Sequence, residues 1–265
     1  DPDTGRVKLP FKASFFGVQN PDDPATNLSA KHLVEPLVTE LGKEKPDWDI
    51  QSIPAEKTTR SQLAQLLGGD ETPAFLFTAS HGMGFPKGDK RQIPHQGALL
   101  CQDWPGPKQW KQEIPEEFYF AGDHLEPNAS LLGRIAFFFA CYGAGTPEQD
   151  DFRSRATKKQ VRIAPHPFLA QLPQRMLAHP RGGAPAVVGH VERAWGYSFL
   201  WRDAGPQIGV FSSAIKRLME NHPIGSALDF FDVRYGEIAT ELTQLQDKLD
   251  VGYIGASPYE LAGLW

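Results

Sequence analysis

Apolar positions along this chain switch between two spacings. Phe11 to Val18 and Trp48 to Ile53 carry the compact or every-second-residue pattern of strands. Between them, Leu33, Val34, Leu37, Val38 and Leu41 recur at helical intervals, which predicts an amphipathic helix over 29–41 with Ser29 as its N-cap. The stretch 19–25, rich in Pro, Asp and Asn, reads as a loop. A second helix is expected over 59–67, ended by Gly68 and Gly69.

Three continuous apolar runs follow: Pro73 to Ala79 (PAFLFTA), Arg134 to Ala140 (RIAFFFA) and Ala184 to Val188 (APAVV). They are too short for ordinary helices and suit central parallel strands buried on both faces. Further helices are expected over 168–178, 208–219 and 227–249. This alternation predicts an α/β fold, an open, mostly parallel sheet flanked by helices in a three-layer sandwich. A chain of 265 residues, 40% of them hydrophobic, fits one domain over 1–265, with a core at about 11–218 and a C-terminal helical extension over 225–265. Two connections, 80–132 and 143–165, exceed what plain loops need, although the first holds a further strand candidate at 98–102. Both leave the C-terminal ends of central runs.

Composition removes several classes of function. A formal charge of -5 gives no electrostatic footprint for nucleic acid, and there is no apolar run of membrane-spanning length. The two cysteines, Cys101 and Cys141, are not spaced as a metal knuckle or redox pair, which argues for a reducing compartment and a cytoplasmic location. The sequons at Asn27 and Asn128 then read as coincidental. A chain beginning at Asp1 reads as a processed form or a piece of a larger polypeptide, whose other domains would be its partners. The histidines other than His81 (32, 95, 124, 166, 179, 190 and 222) form no metal triad, and no glycine pattern fits a phosphate loop. The acidic loop 148–151 lacks calcium-ligand spacing. No metal and no cofactor are expected.

The candidate chemistry lies at two strand ends. His81 stands two residues past the run 73–79, and Cys141 directly follows the run 134–140. Ligands of parallel sheets bind beyond the carboxyl ends of the strands. If these two strands are neighbours, about 4.8 Å apart, a thiol and an imidazole share one rim. A thiol is mostly protonated at neutral pH, so a nearby histidine must take its proton during attack and return it to the leaving amine. Gly82 and Gly143 would let backbone approach a substrate closely, with amides near Gly82 and of Cys141 aimed at an oxyanion. Cys101 sits mid-strand without a glycine-rich exit and reads as structural.

His81-Gly82 after one central strand and Ala140-Cys141 after the next resemble the caspase-like clan of cysteine peptidases, which includes caspases, gingipains, legumain, separase and bacterial CHAT domains. Residues 140–143 match the Ala-Cys-x-Gly core of caspases, and the interval of 60 residues between His81 and Cys141 is compatible with theirs. Phe139 stands where a caspase has Gln, which points toward the gingipain or CHAT side. The segment 183–191 is similar to the small-residue strand that follows the nucleophile in those bacterial members.

The resemblance implies a caspase-like fold and a cysteine endopeptidase acting on protein or peptide substrates through a Cys141/His81 dyad. Such enzymes read the residue before the cut in a pocket beside the nucleophile. Rim carboxylates at Asp103, Glu148, Asp150, Asp151 and Glu192, with Trp195 as a wall, would suit a basic side chain there, although solvated loop carboxylates explain each of them as well. A catalytically silent caspase-like interaction or signalling module is the alternative, and an amidase or acyltransferase on the same scaffold is a third possibility. The basic segment 151–162 is a candidate for self-processing.

Overall fold

The computed structural model describes residues 9–150, 161–201 and 205–250. In chain order, β1 (Lys12–Gly17) leads through an ordered turn to α1 (Pro24–Ser29), a π-helical turn (Ala30–Val34) and α2 (Glu35–Glu44). β2 (Asp49–Ser52), α3 (Arg60–Leu66) and β3 (Phe75–Ala79) follow. An excursion then holds a short α4 (Gln92–His95), β4 (Leu99–Leu100) and β5 (Tyr119–Phe120) before the chain returns as β6 (Ile135–Phe139). β7 (Gly145–Thr146), β8 (Phe168–Leu169), α5 (Gln171–Leu177), β9 (Ala186–Gly189), α6 (Gly209–Met219) and α7 (Ile224–Asp250) complete the described elements used below.

Five strands form one parallel sheet in the order β2-β1-β3-β6-β9. One row of paired residues, Phe15, Phe77, Phe137 and Val188, crosses four of them. Its aromatic rings lie 5.6 and 5.2 Å apart between centroids, and such pairs contribute about 0.5–1.5 kcal/mol each beyond simple burial. On that face they meet Leu33, Leu37 and Leu41 of the first helical stretch and Phe211, Ile215 and Leu218 of α6. The opposite face packs Phe16, Leu76 and Phe138 against Leu63, Leu66, Leu172 and Met176 of α3 and α5. Helices therefore cover both faces, the expected three-layer α/β arrangement. α7 closes over the first face, with Phe231 5.9 Å from the Phe137 ring and 5.2 Å from that of Phe211.

Three local expectations need correction. The first helix starts at Pro24 and not at Ser29. Asp23 is its N-cap, taking the N–H groups of Ala25 and Thr26, while Pro24 occupies a first-turn position where a missing N–H costs nothing. Ser29 is buried inside the helix with its hydroxyl bonded to the Thr26 carbonyl. The π-helical turn, closed by Glu35 N–H on the Ala30 carbonyl, precedes Pro36, which has no N–H to give and crowds the turn before it. Second, the strand candidate 98–102 shrinks to β4, which pairs antiparallel with β5, an element whose two residues are too few to show periodicity. Third, Phe168 and Leu169 leave the expected helix to pair with Thr146 and Gly145.

Leu99, Phe120 and Leu125 of the excursion join the core on the sheet, while within residues 83–121 Met83, Phe85, Leu100, Trp104 and Tyr119 build a small core of their own. That core matters for position. It abuts both strand exits that carry the candidate chemistry, through Gly97 beside Tyr142 and Trp104 beside His81.

Candidate active site

Register brings the two strand exits to one level. Gly17, Ala79 and Phe139 end β1, β3 and β6 in a single paired row, and the Ser80 N–H continues that pairing onto the Phe139 carbonyl at 3.2 Å. His81 and Cys141 each lie two residues beyond this row, so hydrogen bonding between adjacent strands sets them side by side on the carboxyl rim. Gly82 shows how closely the exits approach. A Cβ there would lie 2.9 Å from the Cys141 amide nitrogen and would overlap the Cys141 carbonyl oxygen. Only glycine fits against that backbone.

The turn that carries Cys141 is held from several sides. Tyr142 adopts φ 58°, a left-handed conformation that costs a non-glycine residue on the order of 1 kcal/mol. Its N–H donates to the Glu192 carbonyl at 2.7 Å, and its carbonyl lies against Gly97, where a Cβ would collide with it. The Ala144 N–H donates to the His190 carbonyl at 2.9 Å. Sequence patterning placed the conformational freedom at Gly143, but the strained residue is its neighbour. Neither the Gly82 nor the Cys141 N–H has a backbone acceptor among the described residues, whereas Met83 and Tyr142 on either side are bonded to backbone carbonyls.

The Cys141 thiol is half-buried and rests on the Ala194 backbone, accepting from its N–H at 3.4 Å with its carbonyl 3.8 Å away. Burial pushes its pKa up, against smaller opposing pulls from the Ala194 amide and the Arg193 charge. At neutral pH it is a thiol and needs a base.

The candidate is His81, which Asp23 holds in place. His81 Nε2 lies 2.7 Å from Asp23 Oδ2. Burial raises the Asp23 pKa, but the His81 hydrogen bond and charge, with bonds from Thr26 and Ala25, outweigh that and hold the carboxyl below its ordinary value. An ionised carboxylate only accepts, so Nε2 is the ring nitrogen that donates its hydrogen to Asp23. Thr26 donates its hydroxyl to the same carboxylate oxygen at 2.7 Å and accepts from the Asn20 N–H at 3.1 Å. Trp104 packs edge-on against the imidazole, 6.3 Å between centroids. Asp23 was read only as part of a loop; its visible signal was Asp-Pro ahead of a helix, an N-cap signature.

Cys141 and His81 line one cleft of roughly 430 Å³ including its open mouth. Its walls come from α1 (Ala25, Thr26, Leu28 and Ser29), the β3 and β6 exits (Ser80 and Phe139), and the chain after β9 (Ala194, Gly196 and Phe199). The site thus draws on the exits of four neighbouring strands, including the β1/β3 boundary where strand order reverses, the place where open α/β sheets bind ligands.

The other expected pocket residues are placed differently. Asp103 does not line this cleft, since its carboxylate takes the Arg60 N–H at 2.7 Å, at the start of α3. Asp150 grips Arg193 through two bonds of 2.6 and 2.8 Å, and Glu192 adds a third at 2.9 Å, so these carboxylates serve an ion-paired cluster after the turn that carries Cys141. Trp195 lies between Ala194 and Gly196 of the wall and is exposed, but its own side chain is not part of the lining. Glu148 pairs with Arg162 at 2.8 Å. Asp151 and most of the self-processing candidate, 151–160, lie outside the described residues.

Cys101 is fully buried, its Sγ 3.4 Å from the Leu99 carbonyl, and burial raises its pKa well above the ordinary value. His190 stacks edge-on against Phe139, 5.0 Å between centroids, behind the cleft wall. No cluster of three or more metal-ligating side chains occurs among the described residues, and no helix there is long and apolar enough to cross a membrane. Comparison with protein-family models and with curated proteins finds no significant match to the chain.

Proposed function

We propose that the chain is a cysteine endopeptidase of the caspase-like type, with Cys141 as nucleophile, His81 as proton carrier and Asp23 as the residue that orients His81. The observation that carries this reading is the shared level of the two exits: adjacent parallel strands place His81 and Cys141 two residues beyond one paired row, in one cleft. The order of elements, His-Gly after one central strand and Ala-Cys after the next, supports the caspase-like assignment.

His81 Nδ1 takes the thiol proton as sulfur attacks the scissile carbonyl carbon, forming the C–S bond and placing the carbonyl electron pair on oxygen. The Gly82 and Cys141 amides, which have no backbone acceptor among the described residues, donate to that oxyanion. Collapse breaks the C–N bond, and His81 returns its proton to the departing amine. Water, deprotonated by His81, then adds to the thioester, releasing the new carboxyl end and restoring the thiol. Asp23 keeps the imidazole in the tautomer these steps need and offsets the charge of its protonated form. No step calls for a metal.

A mixed peptide library, read by mass spectrometry for new termini, tests this with three proteins. Wild type and Cys141→Ala should differ by complete loss of cleavage, and Cys101→Ala should cut as wild type does. Cleavage that survives in Cys141→Ala but not in Cys101→Ala would overturn the assignment, and a chain that cuts nothing would leave the silent-module alternative.

A further inference from the structure

We infer that this site cuts after a small or medium-sized uncharged side chain, with Leu28 setting the size limit. The inference rests on the peptidase reading and gives that site its substrate class. The wall beside Cys141 is made by Ala25, Leu28, Phe139, Ala194 and Phe199, all apolar. Its hydroxyl groups already give their protons within the fold: Thr26 to Asp23, Ser29 to the Thr26 carbonyl and Ser80 to the His81 carbonyl. No carboxylate, ammonium or guanidinium group lines the cleft among the described residues.

The carboxylates that would have paired with a basic side chain are engaged elsewhere, Asp150 and Glu192 with Arg193 and Asp103 with the Arg60 amide. A lysine, arginine or aspartate side chain entering here would lose its hydration and find no charged partner in the lining among the described residues, a heavy cost in a half-buried apolar site. An alanine, valine, threonine or leucine side chain loses little and covers apolar surface.

Size follows from one contact across the cleft. A Cβ on Gly196 would lie 2.9 Å from Leu28 Cδ2, so α1 and the chain after β9 meet there and leave no room between them. Leu28 is the side chain that closes this end of the cleft.

The test is a set of fluorogenic peptides identical except for the residue before the cut, assayed on wild type, Leu28→Ala and Ala25→Glu. Wild type should favour Ala, Val, Thr and Leu over Lys, Arg and Asp by at least about a hundredfold in kcat/KM, about 2.7 kcal/mol at 1.36 kcal/mol per decade. Leu28→Ala should raise kcat/KM for Phe relative to Ala by about tenfold, the low end of what one or two methylenes decide in such pockets. Ala25→Glu places a carboxylate on the wall in the first turn of α1, where an acidic side chain favours the helix, and should raise the Lys and Arg peptides specifically.

Preference for Lys, Arg or Asp by wild type would overturn the inference while leaving the peptidase intact, as would a Leu28→Ala profile identical to wild type. A peptidyl acyloxymethyl ketone run in parallel separates the two failures. No cleavage of any peptide together with no labelling of Cys141 would remove the peptidase reading, and this inference with it.

Discussion

Asp23 does two jobs with one carboxylate, and two substitutions pull them apart. Asn is as good an N-cap as Asp, so Asp23→Asn keeps an oxygen for the Ala25 amide at the start of α1, while the Thr26 N–H and hydroxyl, which bond the same Oδ2 as His81, lose that acceptor. It then turns its NH2 group toward His81 Nε2, which the wild-type carboxylate meets at 2.7 Å. The imidazole must present a lone pair to that donor, so its proton moves to Nδ1 and the base is lost. Turnover should fall by about 10²- to 10⁴-fold, the usual worth of positioned acid–base catalysis, with KM little changed.

The stability cost is smaller. A hydrogen bond to a charged group is worth about 1.5–3 kcal/mol. The His81 side chain is 37% exposed, against 9% for Asp23, so solvent screening brings the loss to about 1 kcal/mol. Because the folded-state carboxyl lies below its unfolded value of about 3.9, its stabilisation is present above that pH and disappears as pH falls through the folded value. Wild type and Asp23→Asn should therefore differ in urea midpoint at pH 7 and converge in acid. Asp23→Ala adds loss of the cap, about 0.5–2 kcal/mol, but should be no worse in turnover than Asn. If Asp23→Asn keeps kcat within about threefold of wild type, Asp23 is a helix cap and nothing more.

Gly82→Ala forces a Cβ into the Cys141 backbone and should abolish cleavage and lower stability by about 1–3 kcal/mol, whereas Gly84→Ala, with nothing nearer than 3.6 Å, should melt and cut as wild type does. A wild-type melt and activity for Gly82→Ala would contradict the close approach of the two exits. Because burial raises the Cys141 pKa, its alkylation by iodoacetamide should keep accelerating as pH rises past about 8.5, the ordinary cysteine value. A plateau reached already below neutrality would instead indicate a standing thiolate–imidazolium pair.

The sheet was legible because β3 and β6 are unbroken apolar runs buried on both faces; the third such run, expected to be central as well, is β9, which lies at the end of the strand order and is mostly half-buried. The pairing of His81 with Cys141 followed from the distance of each past its run, a property that parallel register preserves. Asp23 escaped notice because its role depends on a turn: Asp22 takes a left-handed φ of 56° and β1 ends beside β3, neither of which periodicity encodes. Ser29 misled because a helix whose apolar stripe begins late also has polar residues inside it, and the cap signal of Asp23-Pro24 lies outside the stripe. The rim carboxylates looked available because sequence shows charge without its partner. Arg193, adjacent to Glu192 and 43 residues from Asp150, engages both.

If Cys141 attacks peptide carbonyls with help from His81, it should also capture an electrophile shaped like a substrate. A peptidyl acyloxymethyl ketone bearing an uncharged residue beside the reactive group, followed by peptide mapping, reads it directly. One equivalent of label is expected on Cys141, none on the buried Cys101, with sharply slowed labelling in Asp23→Asn. Label on Cys101, or a folded protein whose Cys141 reacts no faster than a free thiol with the same reagent, would contradict it.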